Sequence, residues 1–214
     1  MFLVFSVLRN SNVTIRGELG IFDNRAGWIL AGGRSSRMGT DKALLEIEGR
    51  SLLQRVASEI SQVCGSVRVV GDPARYAGFG IPVIPDLSPG LGPLAGIEAA
   101  LTATTVEFNL IVACDMPNVR AGELEDLFTA GGDVAVPRHD DGRVEPLCAV
   151  YSRKCLAQVR KMLESGVRSV KEALRLLESD GFALRYVRVP RDNAFANLNT
   201  PADLARHAGK TNHG

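Results

Sequence analysis

Residues 30 to 42 read LAGGRSSRMGTDK, and these are residue types that hold phosphate. Glycines let backbone N–H groups approach anionic oxygens without side-chain obstruction, so a loop of this kind can form an anion nest. Arg34, Arg37 and Lys42, in or closing the loop, supply charge to neutralise a triphosphate. The spacing is not the GxGxxG of a dinucleotide loop. Nor is it a P-loop, because Gly39 is followed by Thr40, Asp41 and Lys42 rather than directly by lysine and a hydroxyl residue. Asp115 stands just beyond the apolar run Phe108 to Ala113. A hard cation such as Mg²⁺ takes one or two carboxylates together with substrate phosphates, so a single aspartate there is chemically sufficient. Asp86 precedes Ser88 to Gly96, SPGLGPLAG, whose glycines permit close backbone approach to a base or ribose. Each has a bland alternative: a solvated turn, a capping aspartate before Met116-Pro117, and a surface loop before a helix.

The elements that must carry these residues alternate in type. Trp28 to Ala31 is a buried-strand run ended by Gly32 and Gly33. Ser51 and Gln54 form a capping box for a helix lined by Leu53, Val56, Ile60 and Val63. Val67, Val69 and Val70 make the next strand. Val83 and Ile84, bracketed by prolines, make a short or edge piece. Pro93 opens a helix through Ile97 and Leu101, and Phe108 to Ala113 is the most apolar strand of the chain. Beyond it come a helix at Leu124 to Phe128, strands at Val134 to Val136 and Leu147 to Tyr151, and a helix on Leu156, Val159 and Leu163. Ser169 and Glu172 cap another helix, Tyr186 to Val189 is a late strand, and Thr200-Pro201 starts a final helix. Strands alternating with helices predict an α/β fold: one three-layer, Rossmann-like domain with a mostly parallel sheet covered on both faces. In such sheets ligands bind beyond the carboxyl ends of the strands, where the glycine loop, Asp86 and Asp115 all fall.

Composition narrows the function classes. The 214 residues hold 25 basic and 24 acidic side chains, so no global field draws the chain to nucleic acid. Cys64, Cys114, Cys148 and Cys155 lie far apart without metal-ligand spacing, which predicts reduced, mostly buried thiols. No run approaches the length of a membrane span. The opening MFLVFSVL has no basic residue before it, which argues against a signal peptide and leaves it as an extra strand or an upstream start. A cytoplasmic protein with no membrane and no nucleic-acid partner is the expectation. His139, His207 and His213 read as exposed loop or tail positions, and Glu123, Glu125 and Asp126 as solvated helix-start charges. There is no GxSxG and no supported Ser-His-Asp set.

LAGGRSSRMGTDKALL, residues 30 to 45, closely resembles the signature loop of the sugar-nucleotide-type nucleotidyltransferases, in the version typical of molybdenum cofactor guanylyltransferases. GPLAGI (92–97), CDMP (114–117), EPLCAVY (145–151) and NLNTPADL (197–204) match the same family in order. The resemblance implies a nucleotide-diphospho-sugar transferase type of domain at residues 26–206. An N-terminal extension of unknown role precedes it at 1–25, and a polar tail follows at 207–214. It implies transfer of GMP from MgGTP to the phosphate of molybdenum-molybdopterin, with release of pyrophosphate. Leu30, Ala31, Gly32 and Gly33 would contact the nucleotide, Lys42 and Arg37 its phosphates, Asp86 the guanosine and Asp115 the Mg²⁺ as well as the nucleotide. Arg37, Lys42 and Asp115 would carry catalysis, and Asn197 and Asn199 would lie on the pterin side. Partners would be GTP, the molybdopterin cofactor, and apo-molybdoenzymes or their chaperones. One departure is Gly71, where some members carry a nucleotide-contacting asparagine, so that contact is lost or supplied by backbone or Asp72. Alternatives are cytidylyl transfer to the same cofactor, transfer to a sugar or lipid-precursor phosphate, and a carrier that binds cofactor without chemistry.

Overall fold

The computed structural model describes residues 22–32, 41–189, 194–195 and 198. The chain begins with β1 (Arg25–Leu30), then a single tight helical turn at Lys42–Leu44 and a small hairpin of β2 (Glu46–Ile47) and β3 (Arg50–Ser51). Helix α1 (Leu52–Ile60) follows, its capping box formed as predicted: Gln54 N–H donates to Ser51 Oγ, and Gln54 Oε1 accepts the Ser51 N–H. Next are β4 (Ser66–Val70), the short α2 (Pro73–Tyr76), β5 (Val83–Ile84), α3 (Pro93–Ala103) and β6 (Phe108–Ala113). The second half holds α4 (Ala121–Ala130), β7 (Val134–Arg138), β8 (Cys148–Ser152), α5 (Leu156–Glu164), α6 (Val170–Ser179) and β9 (Leu184–Arg188).

Seven strands form one sheet in the order β5-β4-β1-β6-β8-β7-β9. All run parallel except β8, which is antiparallel to both β6 and β7. The reversal follows from connection length: residues 139–147 between β7 and β8 are too few for a parallel crossover, which needs about a dozen or more. Alternation along the strands divides the core. Ile29, Val69, Leu110 and Val112 pack with α1 and α4 on one face, while Trp28, Ile111, Val134 and Val136 pack with α3, α5 and α6 on the other. The buried Trp28 indole donates to Asn109 Oδ1 at 3.1 Å, so the largest core side chain leaves no polar atom unpaired.

The expected three-layer α/β domain is therefore present, and the four cysteines stand as free, buried thiols. Among the described residues no helix is long and apolar enough to cross a membrane. The hairpin β2–β3 and the helix α2 were not expected. The final helix from Thr200, the opening MFLVFSVL, and His207 and His213 lie outside the described residues.

Candidate active site

Strand register sets the site. Leu30 of β1 is level with Val70 of β4 and with Ala113 of β6, and Val70 is level with Ile84 of β5. Two residues beyond these partners, at the carboxyl edge, come Asp86, Asp72, Gly32 and Asp115, one from each of four adjacent strands. Backbone bonds keep the ends in line past the strands: Ala31 N–H donates to Val70 O, Cys114 N–H to Leu30 O, and Gly71 N–H to Ile84 O. Asp86 and Asp115 thus belong to strands three spacings apart, about 14 Å at roughly 4.8 Å per strand. Gly32 takes φ +124°, a conformation that turns the chain off β1 and that side-chain-bearing residues rarely adopt.

Lys42 and Asp115, 73 residues apart, meet here with Nζ 3.4 Å from Oδ2. Both side chains are mostly buried. Burial pushes the Asp115 carboxyl above its ordinary range, and the attraction of Lys42 only partly opposes this. The carboxylate is thus costly to keep ionised. Among the described residues no group of three or more His, Cys, Asp or Glu is gathered. One carboxylate fits a divalent ion that completes its shell with phosphate oxygens and water, as Mg²⁺ does, and does not fit a closed protein cage.

Lys42 is held from behind by residues that sequence reading missed. Asp41 caps the turn that Lys42 opens, accepting the Ala43 N–H at Oδ1, 3.1 Å away. Its Oδ2 accepts the Tyr76 hydroxyl at 2.6 Å and lies 3.5 Å from Arg75 Nη1. Tyr76 is buried, and its hydroxyl is pushed upward by burial and then by the bond to Asp41. Asp41 was legible as a capping type just before a turn, whereas a tyrosine 35 positions away gives no local signal.

Tyr76 also accounts for Gly71. A Cβ there would fall 2.4 Å from the Ala31 carbonyl oxygen and 2.7 Å from the Tyr76 ring. Position 71 has no room for any side chain. Asp72 beside it caps the short α2, its Oδ1 accepting the Ala74 N–H at 2.9 Å and its Oδ2 pairing with Arg75 at 3.4 Å. Asp86 turns the next loop by accepting the Ser88 N–H at Oδ1, 2.9 Å away. Gly92 then precedes α3 with φ +87°, and Leu87 and Leu91 of the same loop are exposed.

Of the expected site residues, Leu30, Ala31, Gly32, Lys42, Asp86 and Asp115 share this edge. Gly33, Arg37, Asn197 and Asn199 lie outside the described residues, although Leu198 between the asparagines donates its N–H to the Asp115 carbonyl at 2.9 Å. Two expectations are corrected. His139 is not an exposed residue: its side chain is largely buried, with Nε2 3.0 Å from Glu145 Oε1, because the hydrogen-bonded turn at 139–142 folds it onto the segment just before β8. Nor are Glu123 and Glu125 merely solvated. Glu123 is buried and accepts the Arg120 N–H at 2.8 Å, capping α4, and Glu125 holds Arg25 in a two-pronged pair at 2.6 and 3.1 Å.

The family profile of the MobA-like NTP transferase domain matches residues 27–179. A probable molybdenum cofactor guanylyltransferase of Pelotomaculum thermopropionicum is 39% identical over 84% of this chain and 90% of its own length. A molybdenum cofactor guanylyltransferase of Desulfosudis oleivorans is 35% identical over 86% of this chain and 94% of its own. Among solved structures, molybdopterin-guanine dinucleotide biosynthesis protein A of Archaeoglobus fulgidus superposes with a TM-score of 0.72 at 27% identity, covering 88% of this chain and all of that one.

Proposed function

Because the chain belongs to the MobA-like NTP transferase domain family, we propose that it transfers GMP from MgGTP to the terminal phosphate of molybdenum-molybdopterin, forming the guanine dinucleotide cofactor and pyrophosphate. The observation that carries the reading is the meeting of Lys42, from the turn that follows the glycine-rich loop, with Asp115 just beyond the carboxyl end of β6.

In the reaction a phosphate oxygen of the acceptor forms a bond to the α-phosphorus of GTP. The bond from that phosphorus to the bridging oxygen breaks, and pyrophosphate leaves with the electron pair. No protein nucleophile is required, so catalysis is positioning and charge stabilisation. Lys42, anchored through Asp41 and Tyr76, presents its ammonium to the phosphates, and Arg37 and the N–H groups of the glycine-rich loop beyond Ala31 would add further donors. Asp86 and the backbone beyond β5 face the guanosine end. Asp115 would hold Mg²⁺, which when bound would offset phosphate charge as a Lewis acid. Asn197 and Asn199 would serve the pterin side, and Leu198 between them donates its N–H to the Asp115 carbonyl. Free buried cysteines accord with a reducing cytoplasm, where the product would pass to apo-molybdoenzymes or their chaperones.

The test is incubation of the full chain with molybdopterin cofactor and GTP or CTP, with Mg²⁺ or EDTA. Pyrophosphate release and the dinucleotide product are the readouts. Turnover with MgGTP, lost in Asp115→Asn, is expected. Preference for CTP would move the function to cytidylyl transfer, and binding of nucleotide without pyrophosphate release would favour the carrier.

A further inference from the structure

A second concentration of charge lies on the same edge of the sheet, beyond β7 and β9. There an open cavity of about 300 Å³ is lined by Arg138, Arg143, Lys171, Arg175 and Tyr186 over the buried Leu174. The chain as a whole is balanced at +1, yet this basin gathers four cations from two elements and a loop, and no carboxylate lines it. Of its acidic neighbours, Asp141 pairs with one of the four cations. Asp141 lies 3.8 Å from Arg143 and is exposed, Asp140 is engaged by Arg188, and Glu178 takes the Tyr186 hydroxyl at 3.5 Å.

The arrangement runs against what α6 alone would favour. Lys171 and Arg175 are one turn apart on one face, where like charges repel, and Lys171 sits in the first turn, where the helix dipole favours anions. The rim is built by backbone bonds: His139 N–H donates to Arg143 O at 2.8 Å, and Gly142 N–H to His139 O at 2.9 Å. Arg138 is already ordered, its guanidinium lying 4.6 Å from the centre of the Tyr186 ring. The volume is at the small end of those that take small ligands. Converging guanidinium and ammonium groups beside an aromatic face are the chemistry that binds phosphate next to a flat ring.

We propose that this basin is a second anion site, separate from the Leu30–Lys42 loop, for a small molecule held by its phosphate groups. Those groups can belong to a free oligophosphate, or to a nucleotide whose base lies against Tyr186. The inference stands on the basin alone and does not depend on the transferase reading.

The experiment is calorimetric titration of the full chain with inorganic pyrophosphate and with GMP. It uses the wild type, Lys42→Ala, Lys171→Gln/Arg175→Gln, and Arg143→Gln as a second basin variant. Backbone amide shifts are followed in parallel. The expected result is binding that persists in Lys42→Ala, weakens with salt, and falls about tenfold or more when the two α6 charges are removed. Amide shifts should appear at Gly142, Val144 and Lys171. Tighter binding of GMP than of pyrophosphate, lost in Tyr186→Ala, identifies a nucleotide. Pyrophosphate binding at least as tight identifies a free oligophosphate. Absence of binding of both probes to Lys42→Ala, or binding that neither basin variant weakens, overturns the proposal.

Discussion

Tyr76→Phe removes one oxygen atom from the support behind Lys42 and nothing from the ligand-facing edge. That hydroxyl donates to Asp41 Oδ2 at 2.6 Å, inside a pocket where the Asp41 side chain is 13% exposed. A hydrogen bond to a charged acceptor contributes about 1.5–3 kcal/mol. The carboxylate keeps the Ala43 N–H at 3.1 Å and Arg75 at 3.5 Å, so the lower part of that range applies. A loss of about 2 kcal/mol in a domain of this size lowers Tm by roughly 4–8 °C. Arg75→Ala is the control. Its side chain is 62% exposed and its pair with Asp41 is screened, so its shift should be less than half as large. The same change acts on chemistry, because Asp41 precedes Lys42 and caps its turn. Displacing the ammonium should lower kcat by about tenfold or more while nucleotide affinity changes less. Thermal unfolding and steady-state rates of pyrophosphate release on both variants supply the numbers. A Tm for Tyr76→Phe equal to that of the parent, or an effect no larger than that of Arg75→Ala, would refute the reasoning.

Gly71→Asn places a Cβ 2.4 Å from a backbone oxygen that cannot swing aside, so urea unfolding should show about 1–3 kcal/mol of lost stability and weakened nucleotide binding. A gain in affinity would mean that β1 and β4 can separate at their ends. Asp115→Asn should raise the stability of the ligand-free protein at neutral pH while abolishing Mg²⁺-dependent turnover. The folded pKa lies above the unfolded one, so the native state binds the proton more tightly and the wild type loses stability as pH rises from the ordinary carboxylate range to that raised value. The advantage of the variant should therefore shrink on acidification, and a variant less stable than the parent at neutral pH would contradict it. The Cys114 thiol, pushed up to about 12 by burial and then by Asp115, should resist alkylation at mild alkaline pH in the native state and react once the chain is unfolded.

What was legible in the sequence was what local chemistry encodes. Ser51 and Gln54 announce α1 because the cap is made within four residues, and the buried run Phe108 to Ala113 announces β6 because a strand covered on both faces is apolar throughout. Asp115 could be placed at a ligand-binding edge because the carboxyl end of a parallel strand is such an edge whatever lies beside it. That β8 runs backwards was also within reach, since the segment between β7 and β8 is too short to cross over. The hairpin β2–β3 was not, because strands of two residues carry no period.

The support of the site was hidden for a different reason. Asp41 and Tyr76 touch only after β1, β4 and α2 are assembled, and Gly71 then reads as a requirement of that packing and not as a missing contact. His139 looked like an exposed loop residue because a polar stretch says nothing of the turn that folds it against Glu145. The same assembly explains why Asp115 is unfavourable when ionised even beside a lysine. Lys42 approaches to 3.4 Å, near enough to neutralise in part, but burial outweighs that attraction and the carboxyl stays raised. If Asp115 holds the cation as proposed, the site gives up stability when empty and recovers it when cation and phosphates arrive. Stabilisation by MgGTP should therefore be larger in the wild type than in Asp115→Asn, even though the variant starts from the higher Tm.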